Sequence, residues 1–452
     1  MNYDESLKYL FSLGRELAAP TQPAAAKFDL ENITVLAEAL GHPEKKYRSV
    51  HIAGTNGKGS TAAFTESIFR AAGSKTGLYT SPHLERINER IRVNGEEISD
   101  SEFAESFTRL QALIEELLAQ GKLRAHPTFF EVVTALAFEH FAKAAVEIAV
   151  FEVGLGGRLD ATNIVIPDVS VITRVDFDHE TFLGHSLEEI AREKAGIIKY
   201  QVPVVVAEQR PKAREVIVKR ATELNASVCE TAKTFHTEHV AVEEGCIRAD
   251  VVEETSGAKF RVAPKLRGRF QLGNAINAVA VARTLDEGGK RISAAAIEHG
   301  IAGAVWPGRM EKLQSSPDIY LDGAHNPSAA RELANFLTEN LAGRKVVLLF
   351  AAMRDKAVDE IAGIIFPHAA EVIFTQPKIS RAISAAQLAE MAGEYTARFR
   401  VIPDAQFAFE EALAGAKSDD AIFVTGSLYL VGELRQYWRT RRQVAARSGV
   451  SE

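Results

Sequence analysis

The sequence predicts an α/β protein made of two layer domains: an N-terminal P-loop-type parallel-sheet domain and a smaller C-terminal Rossmann-like α/β domain. Three observations predict this. Apolar runs of strand length alternate with helix-period segments along most of the chain, the pattern of a parallel sheet covered on both faces. One of these runs, Val50 to Ala53, breaks into the glycine loop Gly54-Thr55-Asn56-Gly57-Lys58-Gly59-Ser60, followed by an Ala-rich helix from about Thr61. Much later the helical pattern stops at Trp306-Pro307-Gly308-Arg309 and a second strand and helix series begins. That break divides the chain into residues 1–303 and 304–452. A length of 452 residues fits the division, being more than one ordinary core supports.

In chain order, residues 3 to 40 carry two short helical patterns around the Pro20 to Pro23 break, with Leu30, Ile33, Leu36 and Leu40 on one face. After the glycine loop and its helix, Thr76 to Thr80 reads as a strand that leads into Ser81-Pro82-His83-Leu84, a polar loop stiffened by proline. Residues 99 to 120 place Phe103, Phe107, Leu110, Ile114 and Leu117 at helical spacing, with Ser99 or Asp100 as cap. Thr128-Phe129-Phe130-Glu131 opens a helix to about Lys143. The strand Glu147 to Val153 follows and breaks into the glycine-rich Gly154 to Asn163; Asp168 to Val175 is the next buried strand. Glu152, Asp160, Asp178 and His179 all fall at or just past strand ends, where ligands of parallel sheets collect.

Ser186-Leu187-Glu188-Glu189 is a capping box that starts a helix carrying Lys194 and running to Lys199. Residues 202 to 230 read as strand, helix, strand, and 234 to 263 as a small antiparallel excursion. A helix begins at Gly273-Asn274-Ala275-Ile276-Asn277. The C-terminal part has four clear strands, Ile319 to Leu321, Val346 to Phe350, Glu371 to Phe374 and Ala421 to Val424. Two of them end in polar loops, at Asp322-Gly323-Ala324-His325-Asn326-Pro327 and at Thr425-Gly426-Ser427. The last ten residues are polar and read as disordered.

Composition narrows the function classes. With 53 basic and 60 acidic residues the net charge is −7, which argues against a nucleic-acid surface. The two cysteines, Cys229 and Cys246, have no metal-ligand or disulfide-framework spacing, so a reducing cytoplasm fits. No apolar run approaches the roughly 20 residues of a membrane span, and the N-terminus mixes acids among its apolar residues, unlike a signal peptide.

The glycine loop carries the chemistry. A strand, glycine loop and helix in that order turn backbone N–H groups towards phosphate oxygens, and the helix N-terminus adds about half a positive charge. Lys58 can reach the terminal phosphates. The spacing departs from G-x-x-x-x-G-K-[ST], since Gly54 lies three before Gly57 and Ser60 two after Lys58.

With these residues in view, the chain resembles the folylpolyglutamate synthase and dihydrofolate synthase family, a branch of the Mur ligase superfamily. HIAGTNGKGS, YTSPHL, FEVGLGGRLDATN, DHETFLG, EKAGIIK, WPGR, DGAHNP and TGSLYLVGE carry the resemblance in order over nearly the whole length. Gly59, between the loop lysine and its hydroxyl, favours the folate branch over ligases of cell-wall precursors. The resemblance makes the N-terminal domain an ATPase domain and the C-terminal one a glutamate-ligase domain. It implies that ATP phosphorylates a carboxylate, and that the amine of L-glutamate attacks the acyl phosphate. The acceptor would be dihydropteroate, a reduced folate or both.

The resemblance also implies roles. Gly54, Thr55, Asn56, Gly57, Lys58, Gly59, Ser60, Asn277, Arg309, Asp322 and His325 would contact ATP, with Arg309 near the phosphates and Asp322 towards the ribose. Ser60 and Glu152 would hold one magnesium, and Glu152 with His179 a second; magnesium prefers hard oxygen ligands, and His179 is the less usual choice. Lys194 matches the family lysine that becomes a carbamate and faces metal. Lys58, Glu152, His179 and Lys194 form the implied catalytic set, while Ser81, His83, Thr128, Phe130, Asp160 and Ala161 would line the substrate. A monomer without nucleic-acid or membrane partners is implied.

Two other readings are weighed against this one. A nucleotide-binding regulatory protein with a decayed site would leave chemical positions unfilled, yet Lys58, Ser60, Glu152, His179, Lys194, Arg309, Asp322 and His325 are all present. A ligase of cell-wall nucleotides would usually carry a further N-terminal domain for the UDP group, whereas residues 1–53 alone precede the loop.

Overall fold

A computed structural model describes residues 1–13, 29–286 and 292–448. The N-terminal sheet has eight strands: β1 (Arg48–Ala53), β2 (Thr76–Tyr79), β3 (Ile91–Val93), β4 (Glu96–Glu97), β5 (Ile148–Glu152), β6 (Val169–Ile172), β7 (Val204–Val206) and β8 (Val228–Glu230). Their order is β4-β3-β2-β5-β1-β6-β7-β8, parallel from β2 to β8, with β3 and β4 added antiparallel at one edge. β1 lies at the centre, and five of its six residues are buried, as an apolar run covered on both faces requires. The helices Lys58–Ala71, Phe270–Asp286 and Ala294–Gly303 seal one face around Phe64, Ile68 and Val279; Asp100–Ala119 and Phe129–Lys143 seal the other around Phe103, Phe138 and Phe151.

Three further strands, β9 (Phe235–Glu243), β10 (Cys246–Glu253) and β11 (Lys259–Val262), form the separate antiparallel sheet. The C-terminal sheet contains β12 (Glu311–Gln314), β13 (Asp318–Leu321), β14 (Val346–Phe350), β15 (Glu371–Gln376), β16 (Phe399–Asp404) and β17 (Ala421–Thr425) in the order β12-β13-β17-β14-β15-β16, with only β12 antiparallel. Helices Pro327–Asn340, Val358–Ile365 and Ala385–Ala392 cover one side; Ala405–Ala414 and Leu428–Ser448 cover the other.

Several boundaries differ from the sequence reading. The phosphate-loop helix begins at Lys58, three residues earlier than expected, because Gly57 takes a left-handed conformation (φ 86°) and turns the chain directly into the first turn. The helix carrying Lys194 ends at Ala195, not Lys199. At the next residue, Gly196, a Cβ would lie 2.4 Å from that of Arg158, so the backbone turns where it meets the glycine-rich segment. Edge strands β12 and β16 were unforeseen, being half exposed and lacking an apolar run. The hairpin of β3 and β4 was missed too, although Asn94-Gly95, both at positive φ, is the dipeptide that signals such a turn. The last helix extends to Ser448, correcting the expectation of disorder over the described part of the final ten residues. The break at Pro20 to Pro23 lies outside the described residues.

Candidate active site

Strands β1, β5 and β6 lie side by side, so their carboxyl ends bring together the glycine loop, Glu152 and the segment from Thr173 to His179. Gly54 and Gly57 are where side chains cannot fit: a Cβ at 54 would lie 1.8 Å from Thr173 Oγ1, and one at 57 would lie 2.3 Å from Asn274 Oδ1. A Cβ at Gly59 would meet the Trp306 ring at 2.8 Å. The linker between the sheets therefore rests on the first turn of the phosphate-loop helix.

Lys58 curls back onto its own loop, donating to the carbonyls of Gly54 (3.1 Å) and Thr55 (3.3 Å). Burial lowers its pKa, against the pull of Glu152 and Asp178. The ammonium of Lys194 donates to the same Gly54 carbonyl at 2.9 Å. Burial, then repulsion from Lys58, brings the Lys194 pKa down to about 7. Glu152, 5% exposed, accepts the Ser81 N–H at 3.2 Å. Burial raises its pKa, and Lys58 opposes the rise. Ser60 is buried in the helix's first turn.

The carboxyl ends of the C-terminal sheet meet this group directly. Asn56 and Asn326 exchange reciprocal amide hydrogen bonds of 3.2 and 3.0 Å. Asp178 accepts from Lys356 Nζ at 2.7 Å and from Asn326 Nδ2 at 3.0 Å, and His325 Nε2 lies 3.7 Å away. Next to it, His179 has φ 51°, and its Nδ1 is buried without a hydrogen-bond partner. Burial lowers the His179 pKa, against the pull of Asp178 and Asp355. Asp322 accepts the N–H groups of Met310 and Ala324, both at 2.9 Å, and burial raises its pKa against the pull of Arg309. His325 Nδ1 lies 2.7 Å from the Gly323 carbonyl. Arg309, Glu152, Ser81 and Trp306 line one narrow cleft between the two sheets. Asn277 is buried on its helix with Oδ1 unpartnered.

Of the other expected substrate residues, Thr128 and Phe130 lie at the start of the helix Phe129–Lys143, and Asp160 and Ala161 in the loop after β5. Phe130 lies over Gly154, where a Cβ would be 2.7 Å from its ring, and its centroid is 6.1 Å from that of Tyr79. Thr128 and Asp160 each have hydrogen bonds within the chain. Thr128 Oγ1 is engaged as the cap of the helix Phe129–Lys143, in a reciprocal box with Glu131. Both Asp160 oxygens are filled from within the glycine-rich loop: one by the Gly154 and Leu155 N–H groups at 2.9 and 3.0 Å, the other by the N–H and hydroxyl of Thr162. Ala161 is buried at the start of the short turn Ala161–Ile164. His83 Nδ1 accepts from Arg90 at 2.8 Å. Sequence reasoning left out Lys356 and Asn326 and gave Asp178 no role. The signal for all three was their place just past the ends of β14, β13 and β6.

Residues 52–282 match the Mur ligase middle domain, and residues 308–428 match the Mur ligase, glutamate ligase domain. The dihydrofolate synthase/folylpolyglutamate synthase of Bacillus subtilis (strain 168) is 37% identical over 406 residues, covering 89% of this chain and 93% of that one. Escherichia coli FolC, solved in complex with DHPP and ADP, superposes with a TM-score of 0.85 at 30% identity, covering 98% of this chain and 99% of that one. The bifunctional folylpolyglutamate synthase/dihydrofolate synthase of Yersinia pestis c092, complexed with AMPPNP and Mn ion, gives 0.82 at 31% identity, covering 97% and 98%. Matched domains, sequence relatives and structural neighbours agree: the chain belongs to the dihydrofolate synthase/folylpolyglutamate synthase family of the Mur ligases and is an ATP-dependent ligase.

Proposed function

We propose that this protein joins L-glutamate to dihydropteroate, and to the γ-carboxylate of reduced folates, with one catalytic centre serving both acceptors. The observation that carries the reading is the meeting of Lys58, Glu152 and Arg309 where the carboxyl ends of the two sheets face each other, bridged by Asp178 and Lys356. A donor held by one domain and an acceptor held between both fit such a junction. We place the domain boundary between residues 303 and 304, just ahead of the linker that carries Trp306 and Arg309.

A carboxylate resists attack by an amine because its charge is delocalised and its oxygen leaves poorly. Transfer of the γ-phosphoryl group from ATP to the acceptor carboxylate creates an acyl phosphate; the glutamate amine then attacks the carbonyl carbon and phosphate leaves. Phosphoryl transfer asks chiefly for alignment and charge neutralisation. In this proposal Lys58 swings from the loop carbonyls to the terminal phosphates, and the N–H groups of Gly57 to Ser60 cradle the others. Arg309 neutralises charge from the linker side, while Asp322 and His325 face the nucleotide from the second domain. Asn277, with its unpartnered Oδ1, is available for the nucleotide's other end.

The residues suit a divalent metal. Ser60 offers a hydroxyl, Glu152 a carboxylate and His179 a ring whose Nδ1 makes no hydrogen bond, the Asp355 carboxylate lying 3.7 Å from it. Phosphate oxygens and water would supply the remaining ligands. Magnesium would be held by Ser60 and Glu152, with a second ion at Glu152, His179 and a carbamylated Lys194. Bound there, it would neutralise charge on the phosphates. We further propose that the protein acts as a monomer in a reducing cytoplasm, consistent with two free cysteines. Among the described residues no helix is long and apolar enough to cross a membrane.

Purified protein should release ADP and phosphate only when ATP, magnesium, L-glutamate and a pteroate or folate acceptor are present together. Turnover with a UDP-linked muramic acid and none with any pterin would overturn the reading. Lys58→Ala and Glu152→Ala should each lower kcat about a hundredfold or more while leaving the protein folded, since each removes a charge contact and no core packing.

A further inference from the structure

We propose that Arg435, on the last helix, is a positioning residue that ties the loop carrying Ser81 to the linker carrying Arg309. The inference deepens the functional reading above and rests on it. Arg435 is separated by 350 residues from Glu85, yet its Nη1 pairs with the Glu85 carboxylate, and the two side chains are only 18% and 7% exposed. Its Nε lies 3.0 Å from each oxygen of Glu311. Arg439, one helical turn further on, adds a second contact to Glu85 at 3.2 Å.

Each carboxylate passes the constraint towards the cleft. Glu311 also accepts the Gly308 N–H at 2.9 Å, and the Gly308 carbonyl accepts the Gly323 N–H at 2.9 Å, so the residue before Arg309 is held from both sides. On the other arm, Glu85 adjoins Leu84, whose carbonyl lies flat against the helix at Gly432; a Cβ there would be 2.0 Å from it. Glu89 collects the N–H groups of Leu84, Glu85 and Arg86 at 2.8, 2.8 and 2.9 Å, which makes this stretch one rigid turn. The same loop starts with Ser81, whose N–H holds Glu152.

Arg435 therefore closes a chain of contacts from Glu152 through Ser81 and Glu85 to Glu311, Gly308 and Arg309, and Arg309 lines the same cleft as Glu152. A planar guanidinium engages two carboxylates at once from fixed directions; a lysine is a single point of charge on a flexible stem and holds them in no fixed geometry. Removing the tie should let Arg309 and Glu152 drift relative to each other without unfolding either sheet. Misplacement on the order of 1 Å costs about a hundredfold in rate.

The test compares wild type, Arg435→Gln, Arg435→Lys, Glu85→Gln, the double variant Glu85→Gln/Arg435→Gln and the control Arg441→Gln. Arg441 lies on the same helix but pairs with Glu410, inside the C-terminal domain. Steady-state kcat, KM for ATP and for dihydropteroate, AMPPNP affinity and melting midpoint are measured for each. Arg435→Gln should lower kcat about tenfold to a hundredfold and raise KM for ATP, with the melting midpoint nearly kept. Arg435→Lys should recover part of the loss, and the double variant should be no worse than the poorer single one. Wild-type kcat and KM in Arg435→Gln, or an equal loss in Arg441→Gln, would overturn the inference. Should Arg435→Gln not fold, Glu85→Gln reads the same tie from the other side. A wild type without ligation would refute the functional reading instead, and AMPPNP affinity would still report whether Arg435 orders the nucleotide side.

Discussion

Lys194 shows how a single side chain is tuned by where the chain puts it. Its ammonium is fully enclosed and shares the Gly54 carbonyl with Lys58, so burial and a neighbouring like charge both favour the neutral amine. Only a neutral amine reacts with carbon dioxide to form a carbamate, and with a pKa of about 7 that form gains ground as pH rises through 7. Turnover supported by bicarbonate should therefore fall as pH is lowered below about 7, and a carbamate signal from labelled bicarbonate should appear by carbon NMR in wild type and vanish in Lys194→Ala. A wild type without the signal at pH 8 would remove the carbamate from the site. Stability follows with a definite sign. The unfolded chain keeps this lysine protonated up to about 10.4, so between about 7 and 10 it binds more protons than the folded one, and the group's contribution to stability rises with pH across that window. The sequence made Lys194 visible through EKAGIIK alone; its burial follows from the Gly196 turn against Arg158, a contact between segments distant in sequence.

Elements with an apolar signature were legible, and those without one were not. The helix Phe129–Lys143 ends where its periodicity ends and starts at its capping box, whereas β12 and β16, at the sheet edges, bury too little to leave an alternating pattern. The glycine-rich loop from Gly154 to Asn163 is an intermediate case. Its acid was plain, but what the acid holds depends on a backbone fold that composition does not encode. Because the Asp160 carboxylate accepts four hydrogen bonds from Gly154, Leu155 and Thr162, Asp160→Ala should loosen the whole loop and with it the seat of Phe130. Dihydropteroate ligation and polyglutamate extension should then fall in equal proportion in parallel assays; selective loss of the first would mean that Asp160 recognises the pterin directly. Gly57→Ala tests the neighbouring loop. At φ 86° a side chain costs roughly 1–2 kcal/mol, and the Cβ would also press on Asn274, so ATP-dependent turnover should drop sharply with a modest fall in melting midpoint.

At the scale of the molecule, the two sheets are joined by polar contacts that span most of the chain, which is why a reading along the sequence could name Asp178 without finding its partner. Lys356 lies 178 residues away and contributes to none of the family motifs that the sequence reading used. The pair is enclosed, with side chains 7% and 10% exposed. Burial alone would raise the Asp178 pKa, but Lys356, with His179 and His325 nearby, pulls it well below the usual carboxylate range. A depressed carboxylate stabilises the folded state above its unfolded pKa of about 3.9, and that contribution is lost only as pH falls below it. Wild-type protein should therefore keep the two sheets together throughout pH 5 to 8. Asp178→Asn retains the shape but removes the nearer of the two carboxylates that face the Lys356 ammonium, leaving Asp355 at 3.6 Å, so the loss should stay below the roughly 3–5 kcal/mol of a buried charge with no partner. Because this pair joins two separately packed cores, the cost falls on their closure. Small-angle scattering of Asp178→Asn should give a larger radius of gyration than wild type, and kcat should fall about a hundredfold or more, while the melting of each core changes little. Lys356→Met, which removes the buried cation as well, should recover part of the closure without restoring the rate. An Asp178→Asn protein with wild-type dimensions and wild-type turnover would mean that the reciprocal amides of Asn56 and Asn326 hold the sheets together without the ion pair.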